Sequence, residues 1–171
     1  PATPLPAEKP VAARKAGLSR FGDRLIADSW SLSLALDLKP GLRLASLANH
    51  SGVGLQAAAQ PGPLFRVLGP GFEVTSEQFT VEKEGEEKLA AGTAMRLDLQ
   101  CAAVTPALMA TVWVDVTAPR EIGLRANLDL GGHDPATIRF IFPEVREVRF
   151  SDRPADTWVW CPRRGDVITA A

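Results

Sequence analysis

The chain has 171 residues, with 19 Lys plus Arg against 20 Asp plus Glu, 46% hydrophobic residues, 14 Gly and 14 Pro. This length suits one domain with its own core, and a net charge of -1 with a pI near 6.2 lacks the basic footprint that phosphate-backbone binding needs, so nucleic acid is not an expected partner. No run of about 18 apolar residues occurs, so no membrane span is expected.

The opening PATPLPAEKPVAARKAG carries four prolines and several alanines but no hydrophobic period, the composition of an extended linker. Residues 1–20 are therefore read as a flexible Pro/Ala-rich leader, and residues 21–171 as a single β-sandwich domain. The leader lacks the charged, apolar and small-residue layout of an intact secretory signal, although its composition suits a segment exposed by removal of one. A chain opening on Pro1 reads as a piece of a longer polypeptide.

From Phe21 onward a two-residue period dominates. In Trp30-Ser31-Leu32-Ser33-Leu34-Ala35-Leu36-Asp37-Leu38 the bulky residues alternate with small or polar ones, which puts Trp30, Leu32, Leu34, Leu36 and Leu38 on one face of a half-buried strand. Lys39-Pro40-Gly41 supplies a turn and Leu42 to Leu47 resumes the beat, so a β-hairpin is expected. Further strands are expected at Leu64 to Leu68, Phe72 to Val74, Gln78 to Lys83, Thr93 to Cys101, Ala107 to Val116, Glu121 to Leu130, Thr137 to Phe142, Glu144 to Phe150 and Thr157 to Trp160. The charge run Glu82 to Lys88 has a central Gly and no apolar stripe, and reads as a solvated hairpin tip. About a dozen short strands without crossover helices imply an all-β fold, a large antiparallel β-sandwich.

Little in this pattern points to catalysis. His50 and His133 both sit among turn formers, and Gly-x-Ser-x-Gly is absent, so neither a metal site nor a nucleophile elbow is indicated. Asp98, Asp115 and Asp129 fall on the outward positions of their strands, where a carboxylate is simply solvated. Gly52-Val53-Gly54 lacks the third Gly and the Lys-Ser/Thr of phosphate loops, and no cofactor is expected. Cys101 and Cys161 are too few for a zinc site and read as two buried thiols, with a bridge possible only if their strands adjoin. Arg164-Gly165-Asp166 and Asn49-His50-Ser51 are short matches to an adhesion tripeptide and a glycosylation acceptor, and neither enters the reading.

The candidate binding residues are aromatic. Trp158 and Trp160 alternate around Val159, with Arg163, Arg164 and Asp166 close behind, so an indole platform with polar partners for sugar hydroxyls is one reading. Packing of that pair in the core is the other. Trp30 and Trp113, set among Leu and Val, are expected in the core.

Several segments resemble the amino-terminal β-supersandwich domain, related to the galactose mutarotase-like fold, that precedes the catalytic barrel in many glycoside hydrolases, including alpha-galactosidase-like enzymes. They are Arg24 to Leu38, Gly41 to Asn49, Pro63-Leu64-Phe65-Arg66-Val67, Phe142-Pro143-Glu144-Val145 and Trp158 to Gly165, spanning roughly Asp23 to Ile168. The resemblance implies a non-catalytic accessory domain whose partner is a catalytic domain of the same polypeptide, with carbohydrate as ligand and a periplasmic or secreted location. The alternatives are a stand-alone carbohydrate-binding module and a structural or adhesive extracellular sandwich. Mutarotases need a His and Glu pair in the sugar cleft, and this chain departs from that pattern.

Overall fold

The computed structural model describes residues 16–30, 32–49, 62–90, 92–116, 121–145, 158–160 and 167–169. In chain order these form β1 (Gly17–Phe21), β2 (Arg24–Asp28), β3 (Leu32–Asp37), β4 (Arg43–Asn49), β5 (Gly62–Pro63), β6 (Arg66–Gly69), β7 (Phe72–Thr75), β8 (Thr80–Leu89), β9 (Gly92–Cys101), β10 (Leu108–Asp115), β11 (Gly123–Asp129), β12 (Arg139–Ile141), β13 (Trp158–Trp160) and β14 (Val167–Thr169). Single 3-10 turns occur at Ser76–Gln78 and Pro135–Thr137. No helix among the described residues is long and apolar enough to cross a membrane.

Every strand pairing among the described residues is antiparallel, as short connections require. A five-stranded sheet runs β1-β2-β3-β4-β5, a four-stranded sheet β11-β10-β9-β8, a three-stranded sheet β12-β6-β7, and β13 pairs with β14. Alternation along the strands builds the core of this β-sandwich. Leu25 and Ala27 of β2, Leu34 and Leu36 of β3 and Leu44 of β4 meet Leu97, Leu99 and Cys101 of β9 and Leu108, Ala110, Val112 and Val114 of β10 in one apolar cluster. Each large side chain removed from water in this way contributes about 1.5–3 kcal/mol. The three-stranded sheet extends the same cluster with Val67 and Val74. Phe65, just before β6, meets Phe79 and Phe140 edge-on at centroid distances of 5.0 and 5.5 Å.

Ser76 holds three segments together. Its buried hydroxyl donates to the Leu42 carbonyl at 2.6 Å and accepts from the Leu64 amide at 2.8 Å, while its own amide donates to the Phe65 carbonyl at 2.9 Å. All three are buried groups that would otherwise lose their water partners without replacement. The chain before β4 runs so close to this turn that a Cβ on Gly41 would overlap the Glu77 carbonyl. At the open side of the sandwich, Arg20 of β1 pairs with Glu84 of β8 at 3.2 Å, linking the edge strands of the two larger sheets.

The β3–β4 hairpin forms where the sequence places it, with Leu34 opposite Leu47 and Leu36 opposite Leu44. Other expectations need correction. Gly17–Phe21 is a strand paired with β2, so the sheet begins inside the residues read as leader. Trp30 is 59% exposed rather than on the buried face. The chain turns after β2, where the Ser29 hydroxyl accepts from the Leu32 amide at 2.9 Å, and the ladder starts only at Leu32. The Glu82–Lys88 run is not a hairpin tip but the middle of β8, an edge strand; the turn lies between Leu89 and Gly92. Charged side chains on such an edge blunt pairing with other chains. The strand expected from Gln78 starts at Thr80, after the 3-10 turn. Of the strand expected over Glu144 to Phe150, Glu144 and Val145 are not in a strand, and the remainder lies outside the described residues.

Candidate functional site on the outward face of the four-stranded sheet

Because successive side chains alternate, burying Leu108, Ala110, Val112 and Val114 of β10 turns Met109, Thr111, Trp113 and Asp115 outward. The register across β8 to β11 aligns these with their neighbours in rows. Glu87, Ala94, Asp115 and Gly123 form one; Gly85, Arg96, Trp113 and Arg125 the next; Lys83, Asp98, Thr111 and Asn127 the third; Thr80, Gln100, Met109 and Asp129 the last. Rows two residues apart lie about 7 Å apart along the strands, within reach of one small ligand.

Trp113 stands at the centre of this face, not in the core as its Val neighbours suggested. The Arg96 and Arg125 guanidinium carbons, from the strands on either side, lie 5.8 and 5.9 Å from its ring centroid. Its indole Nε1 donates to Glu87 of β8 at 2.8 Å. These contacts span all four strands and fix the ring on the face; each cation–π contact contributes about 0.5–1 kcal/mol at such a surface. Gly85, with no side chain, leaves the row open on the β8 side.

The outward carboxylates differ among themselves. Asp98 accepts from Arg96 Nε at 2.9 Å and from the Thr111 hydroxyl at 3.1 Å, both at Oδ1. Asp129 accepts from the Gly131 amide at 3.0 Å, closing the turn after β11. Asp115 points outward as expected but is only 7% exposed, a correction to the view that all three are freely solvated. It packs onto Gly123, where a Cβ would lie 2.6 Å from its carboxylate oxygens, and it pairs with Arg125 at 3.7 Å.

Two open hollows mark this face. One of about 330 Å³ is lined by Glu82, Arg96, Asp98, Gln100, Met109, Thr111, Asn127 and Asp129, among others. Its neighbour, about 310 Å³, lies over Lys83, Gly85, Glu86, Glu87, Arg96 and Asp98. Both are open to solvent, the first with a lining more apolar than polar and the second with a mixed one, suited to binding a ligand at a surface rather than enclosing one. Among the described residues, no group of three or more His, Cys, Asp or Glu is placed to hold a metal ion.

The aromatic residues singled out in the sequence lie elsewhere. Trp158 and Trp160 occupy β13, paired with Thr169 and Val167 of β14, while Arg163, Arg164 and Asp166 lie outside the described residues. His50 and Cys161 also lie outside them; Cys101 is a buried free thiol. His133 is a turn residue, with Nε2 2.8 Å from the Pro106 carbonyl and its ring beside Phe72 at 5.4 Å. Arg96, Gln100, Met109, Thr111, Asn127 and Arg125 do not stand out in the sequence because each is ordinary in its own strand. The signal that could have found them is strand parity together with the register, and only the parity can be read along a single strand. Comparison with protein-family models, with curated proteins and with solved structures found no match for this chain.

Proposed function

We propose that this chain is a non-catalytic accessory β-sandwich of a carbohydrate-active enzyme, of the supersandwich, galactose mutarotase-like kind found in glycoside hydrolases, working beside a catalytic domain of the same polypeptide. The observation that supports this reading is the outward face around Trp113, where an indole is held by two guanidinium groups and a carboxylate on neighbouring strands, with the Thr111–Asp98 pair one row away. Sugars present apolar C–H faces and rings of hydroxyls, so aromatic surface bordered by hydrogen-bonding groups is the chemistry that recognises them. Groups already held in place on rigid strands lose less conformational freedom on binding, which favours affinity and selectivity.

The test has two arms. The chain alone is assayed against aryl glycosides and polysaccharides, with no turnover expected. It is then mixed with the catalytic polypeptide of its parent enzyme, and tight association is expected by sedimentation. Turnover by the chain alone overturns the accessory role. Retention on polysaccharide without any association favours the stand-alone carbohydrate-binding module instead, a reading the same face supports. Neither retention nor association leaves the structural or adhesive sandwich.

A further inference from the structure

The larger hollow adjoins the Trp113 stack, sharing Arg96 with it, but is built differently. Met109 lies on its floor with 47% of its surface exposed, on an outward position of a central strand where its apolar side chain gains nothing from the core. Around it stand groups with bonding capacity left over. Asp98 and Asp129 each use only Oδ1 among the described residues, so both Oδ2 atoms remain available. Gln100 and Asn127, on β9 and β11 at either side of β10, are exposed and make no side-chain hydrogen bond among the described residues. Thr111, on the same outward face as Met109 and one row away, already orients Asp98.

Charge narrows the ligand. Three carboxylates, Glu82, Asp98 and Asp129, face one guanidinium, Arg96, which is itself bound to Asp98. An anionic ligand such as a polyuronate or nucleic acid is repelled there. Carboxylates and amide oxygens are acceptors for hydroxyl hydrogens, and an exposed thioether between them accepts the apolar face of a ring. We infer that this hollow is a subsite for a neutral oligosaccharide, one sugar ring lying on Met109 with its hydroxyls shared among Asp98, Gln100, Asn127 and Asp129. The inference rests on the carbohydrate reading above and specifies both the place and the charge class of the ligand.

The experiment is an NMR titration of the amide-labelled chain with neutral glucan, xylan, mannan and galactan hexasaccharides, with polygalacturonate and a Lys-rich peptide as charged probes. A neutral probe shifts the amides around Gln100, Met109 and Asn127. Met109→Glu weakens that binding on the order of tenfold or more, and Asn127→Ala by several-fold, with the spectrum elsewhere unchanged. Both side chains are exposed, so neither variant unfolds the sheet. Preferred binding of polygalacturonate or of the peptide overturns the assignment, as does the failure of every neutral probe to bind. Neutral binding that survives Met109→Glu but is lost in Trp113→Ala removes this subsite while leaving the carbohydrate reading in place. The accessory role is decided separately, by association with the catalytic polypeptide.

Discussion

The two larger sheets bury similar inner faces and present different outer ones. On the five-stranded sheet the outward positions of β3 are Ser33, Ala35 and Asp37, aligned with Asp28, Ile26 and Arg24 of β2 and, for the first two, with Ala48 and Ser46 of β4. Two of these three rows carry mostly small side chains; the third aligns Phe21 of β1, 68% exposed, with Arg24, Asp37 and Arg43, and holds the Arg24–Asp37 pair at 2.7 Å. On the four-stranded sheet the outward positions carry Trp113, Met109, Arg96, Arg125, Gln100 and Asn127, long side chains with reach and bonding capacity. Inner faces are constrained by burial and converge on Leu and Val. Outer faces are free of that constraint, so the differences between them carry the functional information.

That contrast can be broken at four places. A charge on the shared inner face has the largest effect: Val112→Asp places an unpaired carboxylate in the core, costs more than about 4 kcal/mol, and is expected to leave no cooperative unfolding transition in urea. Ser76→Ala deprives the buried Leu64 amide and Leu42 carbonyl of their partner, for a loss of about 1–3 kcal/mol, read as a lower denaturant midpoint at unchanged slope. Trp113→Ala removes a half-buried ring and its two guanidinium contacts, and should lower stability by about 1–2 kcal/mol while retaining the far-UV spectrum of a β protein. A loss as large as that of Val112→Asp would mean that Trp113 belongs to the core after all. Ser46→Lys, on the outward face of the five-stranded sheet, changes stability by no more than about 0.5 kcal/mol, read as an unchanged denaturant midpoint.

The alternation of Leu32 to Leu38 and of Leu108 to Asp115 made the strands legible, and one turn was enough to place the hairpin between β3 and β4. The same parity rule, applied to Trp113, places it outward; its apolar neighbours suggested core because hydrophobicity alone ignores which face a position serves. Trp30 shows the opposite failure. The period continues through it, but a Ser29 turn ends the ladder before it is reached. The charge run of β8 misled for a third reason, since an edge strand at the surface needs no apolar stripe to be a strand.

By itself, then, the sequence determined that the chain is all-β and antiparallel and which side chains each central strand buries, because a two-residue period needs only the strand that carries it. Only the tertiary structure decided which strands are neighbours, and with that which residues share a row. Arg96, Trp113 and Arg125 meet, and Gln100, Met109 and Asp129 line one hollow, through a register set by pairing between separate segments of the chain. Register is a property of pairs, fixed where one face of each strand is buried against a common core, and no single strand encodes it.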